Sequence, residues 1–326
     1  MLTRRQAGLA AASLLATPAL VRAQEAFPSR PMRFIVPVAA GGSADLQARR
    51  VAQRLQERWG QPVVVENRAG ANGIVAVQAF QQAPPDGHTV FATPAGPIAI
   101  NPSLYRSLPY DPFRDFSFAS LISVIPLVLA VHPSVPANNL QELIAVTRRR
   151  GAEFPFANAG IGTPSHLSIA MFRAMANAGD VTSVPFGGSA PALTSIVAGQ
   201  TLAMFDAAVS IAPFIRDGRL RPIAVAHSER LGLLAEVPTL IEQGVPNFLA
   251  ATWMSLCMHA ATPRERVGRL AAEVDSILAE PALRELLTSQ GAIVRGGTPE
   301  DFAAFARAEA EKWGRLVRET GATVDA

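Results

Sequence analysis

The chain has 326 residues, of which 49% are hydrophobic and 17% charged, a globular composition far from the low-hydrophobicity, high-charge signature of disorder. At about 150 residues per domain, two domains are expected. Arg4, Arg5 and Arg22 all precede the first acidic residue, Glu25, and taking these three from 29 basic side chains leaves 26 against 26 acidic ones. The formal charge of +3 therefore belongs to the N-terminal segment. No basic stripe remains, which argues against a nucleic-acid partner.

Residues 1–23 read as an export signal. Arg4 and Arg5 precede an apolar run from Ala7 to Leu20, and Val21-Arg22-Ala23 places small residues where a signal peptidase reads. The run is too short for a membrane span, and no later stretch reaches the 18 apolar residues one needs. Thr3-Arg4-Arg5 leaves the general secretory (Sec) and twin-arginine routes both open. No cysteine follows Ala23 to carry a lipid anchor, so a free exported protein, cleaved after Ala23, is expected.

From there strands and helices alternate. Met32–Pro37 reads as a buried strand, and Ala44–Trp59 as a helix with Ala44, Ala48, Val51, Ala52, Leu55 and Trp59 on one face. Pro62–Glu66 is a strand, Ile74–Gln82 a helix, and His88–Thr93 a strand introduced by the Asp86-Gly87 turn. This is the pattern of a parallel sheet with helical crossovers, so the fold class is α/β. The theme repeats with a strand at Leu127–Val131 and a helix at Leu140–Arg149. Arg148-Arg149-Arg150, the one basic run, suits the C-terminal dipole of that helix. Next come a strand at Phe154–Ala157, a helix at Ser165–Ala178, and strands at Val181–Pro185, Leu202–Asp206 and Pro222–Ala226. Helices at Ala190–Ala198 and Ala212–Asp217 lie between these strands. A strand at Met254–His259 leads into three helices, the last of which, Phe302–Val317, presents Phe302, Phe305, Ala306, Trp313 and Leu316 on one side. Glu309 falls on that side too, so its burial there is expected to be incomplete. The chain is expected to pass between two lobes near 128–131 and 254–259, with residues 24–127 and 251–326 in one lobe and 128–250 in the other.

Both halves carry a glycine-bearing turn between a strand and a helix: Val38-Ala39-Ala40-Gly41-Gly42-Ser43-Ala44-Asp45, and Asn158-Ala159-Gly160-Ile161-Gly162-Thr163-Pro164-Ser165-His166. A helix start offers unpaired N–H groups and about half a positive charge, so it favours anions. Two such turns across a cleft would hold carboxylates with neutral donors and avoid the desolvation cost of a buried arginine. Read singly, each is equally an ordinary βα turn with Ser43 or Ser165 as the N-cap. Neither matches a dinucleotide or P-loop spacing.

Further stretches carry a resemblance: Pro28-Ser29-Arg30-Pro31, Pro37 to Asp45, Gln61 to Arg68 with Gly70, Pro85-Asp86-Gly87, Ala99 to Tyr105, Leu108 to Pro112, His132 to Pro136, Gly188 to Leu193, Met204-Phe205-Asp206, Val237-Pro238-Thr239 and Gly297 to Glu300. Their number and order resemble the periplasmic solute receptors of tripartite tricarboxylate transporters, the Bug family, from about Phe27 to Gly321. The resemblance implies a two-lobed, periplasmic-binding-protein-like type II fold closing by hinge motion on a ligand cleft. It also implies small carboxylate ligands held by loop amides and ordered waters, and membrane transporter subunits as partners. Carried over, the site comprises Ala39, Ala40, Gly41, Gly42, Ser43, Asp45, Thr93, Pro94, Ala95 and Gly96 from one lobe. From the other come Gly160, Gly162, Thr163, Pro164, Ser165, His166, Gly187, Gly188, Ser189 and Asp206. Where the family often has Tyr-Lys before Gly-Ser-Ala-Pro, this chain has Phe186-Gly187, and Ala207 stands where Asn is common. Those departures imply a less polar ligand, such as a monocarboxylate with an apolar tail.

A catalytic reading has thinner support. Ser165, His166 and Asp206 are the nearest to a hydrolase set, since a triad is recognised by geometry and not by order, but no Gly-x-Ser-x-Gly elbow is present. His88, His132, His166, His227 and His259 show no metal-like spacing, and neither a metal nor another cofactor is expected. His166 is expected to orient its helix start by hydrogen bonding. Cys257 is alone, so no intrachain disulfide forms, and it reads as a small buried hydrophobe. A monomer that binds without catalysis is expected; a ligand-sensing receptor for a membrane signalling partner remains an alternative to transport.

Overall fold

A computed structural model describes residues 27–320. The expected export signal and its cleavage site lie outside the described residues. Strands β1 (Met32–Val36), β2 (Val63–Asn67) and β3 (Thr89–Thr93) alternate with helices α1 (Ser43–Trp59) and α2 (Ile74–Gln81). β1 pairs in parallel with both β2 and β3, as a strand–helix–strand alternation requires. A π-helical turn, Gly96–Ile100, and a short helix, Asn101–Leu104, follow.

The sixteen-residue strand β4 (Phe116–Val131) organises the molecule. Its first part pairs antiparallel with β9 (Ala251–His259), from Phe116 opposite His259 to Pro126 opposite Ala251. Its last five residues pair instead with β7 (Ala203–Ala207) and β8 (Arg221–Val225). β5 (Pro155–Asn158) lies parallel to both β6 (Thr182–Pro185) and β7. The strand order is thus β2-β1-β3-β9-β4-β7-β5-β6, with β8 and the two-residue β10 (Ile293–Val294) also on β4. Helices α3 (Leu140–Arg150), α4 (Pro164–Met175), α5 (Ser189–Val197) and α6 (Ala208–Arg216) belong to the second group of strands. α7 (Arg264–Leu278), α8 (Pro281–Ser289) and α9 (Pro299–Thr320) complete the chain.

Several boundaries differ from the sequence expectation. β4 begins at Phe116 rather than Leu127. Register shifts between Phe118 and Ser120 and between Leu121 and Ser123 break the period-2 alternation by which a strand is read. α4 ends at Met175 instead of Ala178, and Asn177 turns the chain with φ of 50°. α6 begins at Ala208, four residues before the expected Ala212, with Pro213 inside it. β10 was not anticipated, being only two residues long.

The apolar face of α1 is buried as expected at Ala44, Ala48, Val51, Ala52 and Leu55. On α9, Phe302, Ala306, Trp313 and Val317 are buried, and Phe302 and Phe305 meet the Trp253 ring edge-on at 5.8 and 5.7 Å. Glu309 retains 14% exposure, pairs with Lys312 and accepts from Trp313 Nε1 at 3.0 Å. Cys257 is buried and free, and burial pushes its thiol well above the ordinary range. No helix among the described residues is long and apolar enough to cross a membrane.

Candidate ligand-binding site

The C-terminal ends of the parallel strands from both groups meet at one cavity of about 550 Å³, within the range of small-molecule sites. From β1 and the start of α1 come Pro37 to Ala40 and Gly42 to Ala44; from the β2–α2 loop, Ala69 to Asn72; and after β3, Pro94, Gly96 and Tyr105. The second group contributes Ala159 to Ile161, Thr163 to Ser165, Pro185 to Pro191, Asp206 and Ala207, while Ile125, Leu127, Thr252 and Trp253 line it from the shared strands β4 and β9.

Fourteen of the twenty predicted site residues line this cavity: Ala39, Ala40, Gly42, Ser43, Pro94, Gly96, Gly160, Thr163, Pro164, Ser165, Gly187, Gly188, Ser189 and Asp206. Six do not line it: Gly41, which is exposed, and Asp45, Thr93, Ala95, Gly162 and His166. Asp45 is 1% exposed and accepts from the Gly41 amide at 2.8 Å, Asn67 Nδ2 at 2.8 Å and Arg49 Nε at 3.1 Å. Burial pushes its carboxyl up, but the Arg49, Gly41 and Asn67 hydrogen bonds outweigh this and hold it below the usual range. Asn67 Nδ2 also donates to Val38 O at 3.0 Å, so the Asp45–Asn67 pair ties both ends of the first glycine turn. Thr93 and Ala95 are fully buried.

Helix α1 begins on Gly42, which supplies no side-chain cap, and α5 begins on Gly188, likewise uncapped. Their first amides therefore lack both an intrahelical partner and a side-chain acceptor. In α4 the N-cap is Thr163, whose hydroxyl accepts from His166 N at 3.3 Å and donates to Gly160 O at 2.7 Å. Neither Ser43 nor Ser165 serves as an N-cap: each lies inside its helix, one or two residues beyond the true cap. The Ser165 hydroxyl donates instead to Phe205 O. His166 Nδ1 accepts from the Gly162 amide at 3.3 Å, and burial pulls its pKa down, so it holds the turn as a neutral ring.

Among the described residues lining the cavity, no lysine, arginine or histidine is present, and Asp206 is the sole carboxylate. Asp206 is 4% exposed. Burial drives its pKa up to about 6, against the opposing hydrogen bonds from the Ser189 hydroxyl and the Ala207 amide. Ser165 and Asp206 are each committed to partners outside a Ser-His-Asp relay, as is His166. No group of three His, Cys, Asp or Glu side chains among the described residues is placed to hold a metal.

Sequence reasoning missed the β2–α2 loop, Ala69 to Asn72. It is a further strand–glycine–helix turn with the same sequence signal as the expected ones, Gly70 and Gly73 flanking Asn72. It also missed Trp253, Ile125 and Tyr105, which carry no local signal.

An apolar cleft between two α/β strand groups, ringed by helix N-termini, is the site of a solute-binding protein. The chain belongs to the tripartite tricarboxylate transporter receptor family, whose model matches residues 47–322. Among solved structures it is similar to Rpa4515 of R. palustris with adipate, at 32% identity and a TM-score of 0.87, covering 90% of this chain and 98% of that one. It is similar to the periplasmic binding protein BugD at 30% identity and a TM-score of 0.85, covering 91% and 99%. MatC from Rhodopseudomonas palustris with bound malate aligns at 32% identity and a TM-score of 0.84, covering 89% and 100%.

Proposed function

We propose that this chain is an exported periplasmic receptor that captures a small carboxylate between two lobes and delivers it, unchanged, to the membrane subunits of a tripartite transporter. Residues 24–127 with 251–326 form one lobe and residues 128–250 the other, and the protein acts as a monomer. The observation that carries this reading is the cavity: its walls are mostly apolar, no cationic side chain is found among its described lining residues, and the uncapped starts of α1 and α5 open on it. Oriented amides hold an anion without the desolvation cost of a buried cation.

The ligand-binding set is then Ala39, Ala40, Gly42 and Ser43 with Pro94 and Gly96 from one side. From the other come Gly160, Thr163, Pro164, Ser165, Gly187, Gly188, Ser189 and Asp206. Adipate and malate in the two related structures support a carboxylate. Phe186, Tyr105 and Trp253 in the wall favour one with an apolar body. The test is a titration of the mature protein against mono-, di- and tricarboxylates, amino acids and aromatic acids, followed by thermal melting and by recovery of the ligand. Carboxylates with an unbranched or aromatic apolar body are expected to bind and to be recovered intact. At a hundred times its dissociation constant such a ligand stabilises by about 2.7 kcal/mol. Binding confined to citrate-like triacids would refute the apolar-body reading. Turnover of an ester or amide would return Ser165, His166 and Asp206 to a catalytic role.

A further inference from the structure

The β2–α2 loop does more than line the cavity. Gly70, Ala71, Asn72 and Gly73 have φ of 140°, 44°, 46° and 91°, four consecutive residues in the left-handed half of backbone space. Gly70 and Gly73 adopt this freely, but Ala71 and Asn72 do so at a cost and persist only where their surroundings impose it. What they impose is the position of one side-chain amide. Asn72 Nδ2 donates to Asn101 Oδ1 at 2.7 Å and to the carbonyl of Gly162 at 2.8 Å. Asn72 lies between β2 and α2, and Gly162 between β5 and α4. β2 and β5 stand near opposite ends of the strand order, so this bond crosses the cleft.

The orientation of the amide is dictated from behind. Asn101 is fully buried, and its Nδ2 spends both hydrogens, on Asn72 O at 3.0 Å and on Tyr110 Oη at 2.9 Å. The Tyr110 hydroxyl in turn donates to Pro97 O at 2.8 Å. Asn101 is left with only its Oδ1 to offer, so Asn72 must present its NH₂, and the second N–H then faces Gly162. The receiving side is shaped to match. A Cβ on Gly162 would run into Leu104 Cδ2 and stand 2.8 Å from Asn72 Nδ2, and a Cβ on Gly96 would stand 2.7 Å from Asn72 Oδ1. Only glycine at both positions lets the amide reach across.

We propose that Asn72 is a latch for closure: held in place by Asn101 and Tyr110, it bonds the Gly162 carbonyl when the second glycine turn swings onto the first lobe, and so stabilises the closed form. This rests on the receptor reading above and adds a positioning residue to it. The turn that Asn72 grips carries Thr163 and Ser165 into the cavity wall, so the latch and the ligand draw on the same movement. Asn72 also lines the cavity, whereas Gly162 does not, so the ligand-free separation and the Gly162→Ala variant are the readouts that separate a latch from a ligand contact.

The test uses thiol-specific fluorophores at Gln78→Cys and Arg149→Cys, two exposed positions on α2 and α3; the buried native Cys257 stays unlabelled. Energy transfer between them is read with and without adipate in otherwise native protein and in Asn72→Ala, Asn72→Asp and Gly162→Ala. Asn72→Asp puts an acceptor against both Asn101 Oδ1 and the Gly162 carbonyl. It is expected to shift the ligand-free population toward the open separation and to weaken adipate binding about tenfold or more. Asn72→Ala, which loses one net hydrogen bond across the cleft, is expected to weaken it about three- to tenfold. Gly162→Ala should match Asn72→Asp in both readouts. Circular-dichroism melts identify any variant that fails to fold, and the remaining ones decide. Separations and affinities equal to the parent in the folded variants overturn the latch. A parent that binds no carboxylate, but whose separation widens with Asn72→Asp, leaves the latch standing and overturns the ligand reading instead.

Discussion

Asp206 is the one carboxylate among the described residues lining the cavity, and it is buried. A carboxylate buried without a cation is disfavoured when charged, and its pKa of about 6 records that. The folded state therefore holds this proton more tightly than the unfolded chain does. Between pH 3.8 and about 6 the native form binds more protons, so this group's contribution to stability falls as pH rises through that window and is level above it. Asp206→Asn keeps an acceptor for Ser189 and removes the charge. It is expected to raise stability at pH 7 by up to roughly 3 kcal/mol and to flatten the difference between pH 4 and 6, as read by urea melts across that range. A variant less stable than the parent at pH 7 would show that the charged form is needed. Asp45 has the opposite sign: its pKa is lowered, so its contribution is present above pH 3.8 and is lost as pH falls through the lower, folded value. Asp45→Ala strands the Gly41 amide and Asn67 Nδ2, and is expected to cost about 2–4 kcal/mol and to weaken ligand binding by loosening the first turn. Unchanged affinity in a folded Asp45→Ala protein would remove that brace from the account.

At the scale of elements, the helix starts carry a trade between stability and function. α1 begins on Gly42 with φ −72° and ψ 163°, a backbone that any capping residue adopts, and a Cβ there would find its nearest neighbour, Ala39 O, at an ordinary 3.6 Å. Gly42→Asp is therefore expected to cap α1 and stabilise the protein by a few tenths of a kcal/mol, while its carboxylate occupies the free amides and repels the ligand. Melting temperature and carboxylate affinity should move in opposite directions; a rise in both would mean that the α1 amides do not bind the anion. The sequence showed this helix start as a glycine turn before an amphipathic run. It did not show which residue caps it, because Gly42 and Ser43 both suit an N-cap and one residue of phase separates them. A two-residue ambiguity of the same kind moved the α4 cap from Ser165 to Thr163.

For the whole molecule, the shared strands β4 and β9 join the two strand groups into one continuous sheet. Leu127 N donates to Ala250 O, and Ala250 N to Ala226 O, both near the point where the chain passes between groups. α9 buries Phe302, Ala306, Trp313 and Val317 against both the Gly96–Ile100 turn and β4. Truncation before Pro299 would expose these side chains, each worth about 1.5–3 kcal/mol for the larger ones, and is expected to abolish the cooperative melt seen by circular dichroism. A truncated chain that still melts cooperatively would confine α9 to a peripheral role.

By itself the sequence determined the α/β class, the two glycine turns and the polarity balance, because hydrophobic period, turn chemistry and charge are local properties of the chain. It determined most strand and helix positions for the same reason, and failed on the first half of β4, where register shifts erase the alternation. Only the tertiary structure decided that the β2–α2 loop joins the expected glycine turns at the cavity, and that Trp253 and Ile125 reach its wall from the shared strands. It alone set Asp45 behind that wall as a brace while Asp206 came to the surface of the cavity. Those outcomes depend on which strands lie side by side and which loops meet across the cleft, and the pairing of residues 90 apart, such as Asn72 with Gly162, leaves no periodic trace in the chain.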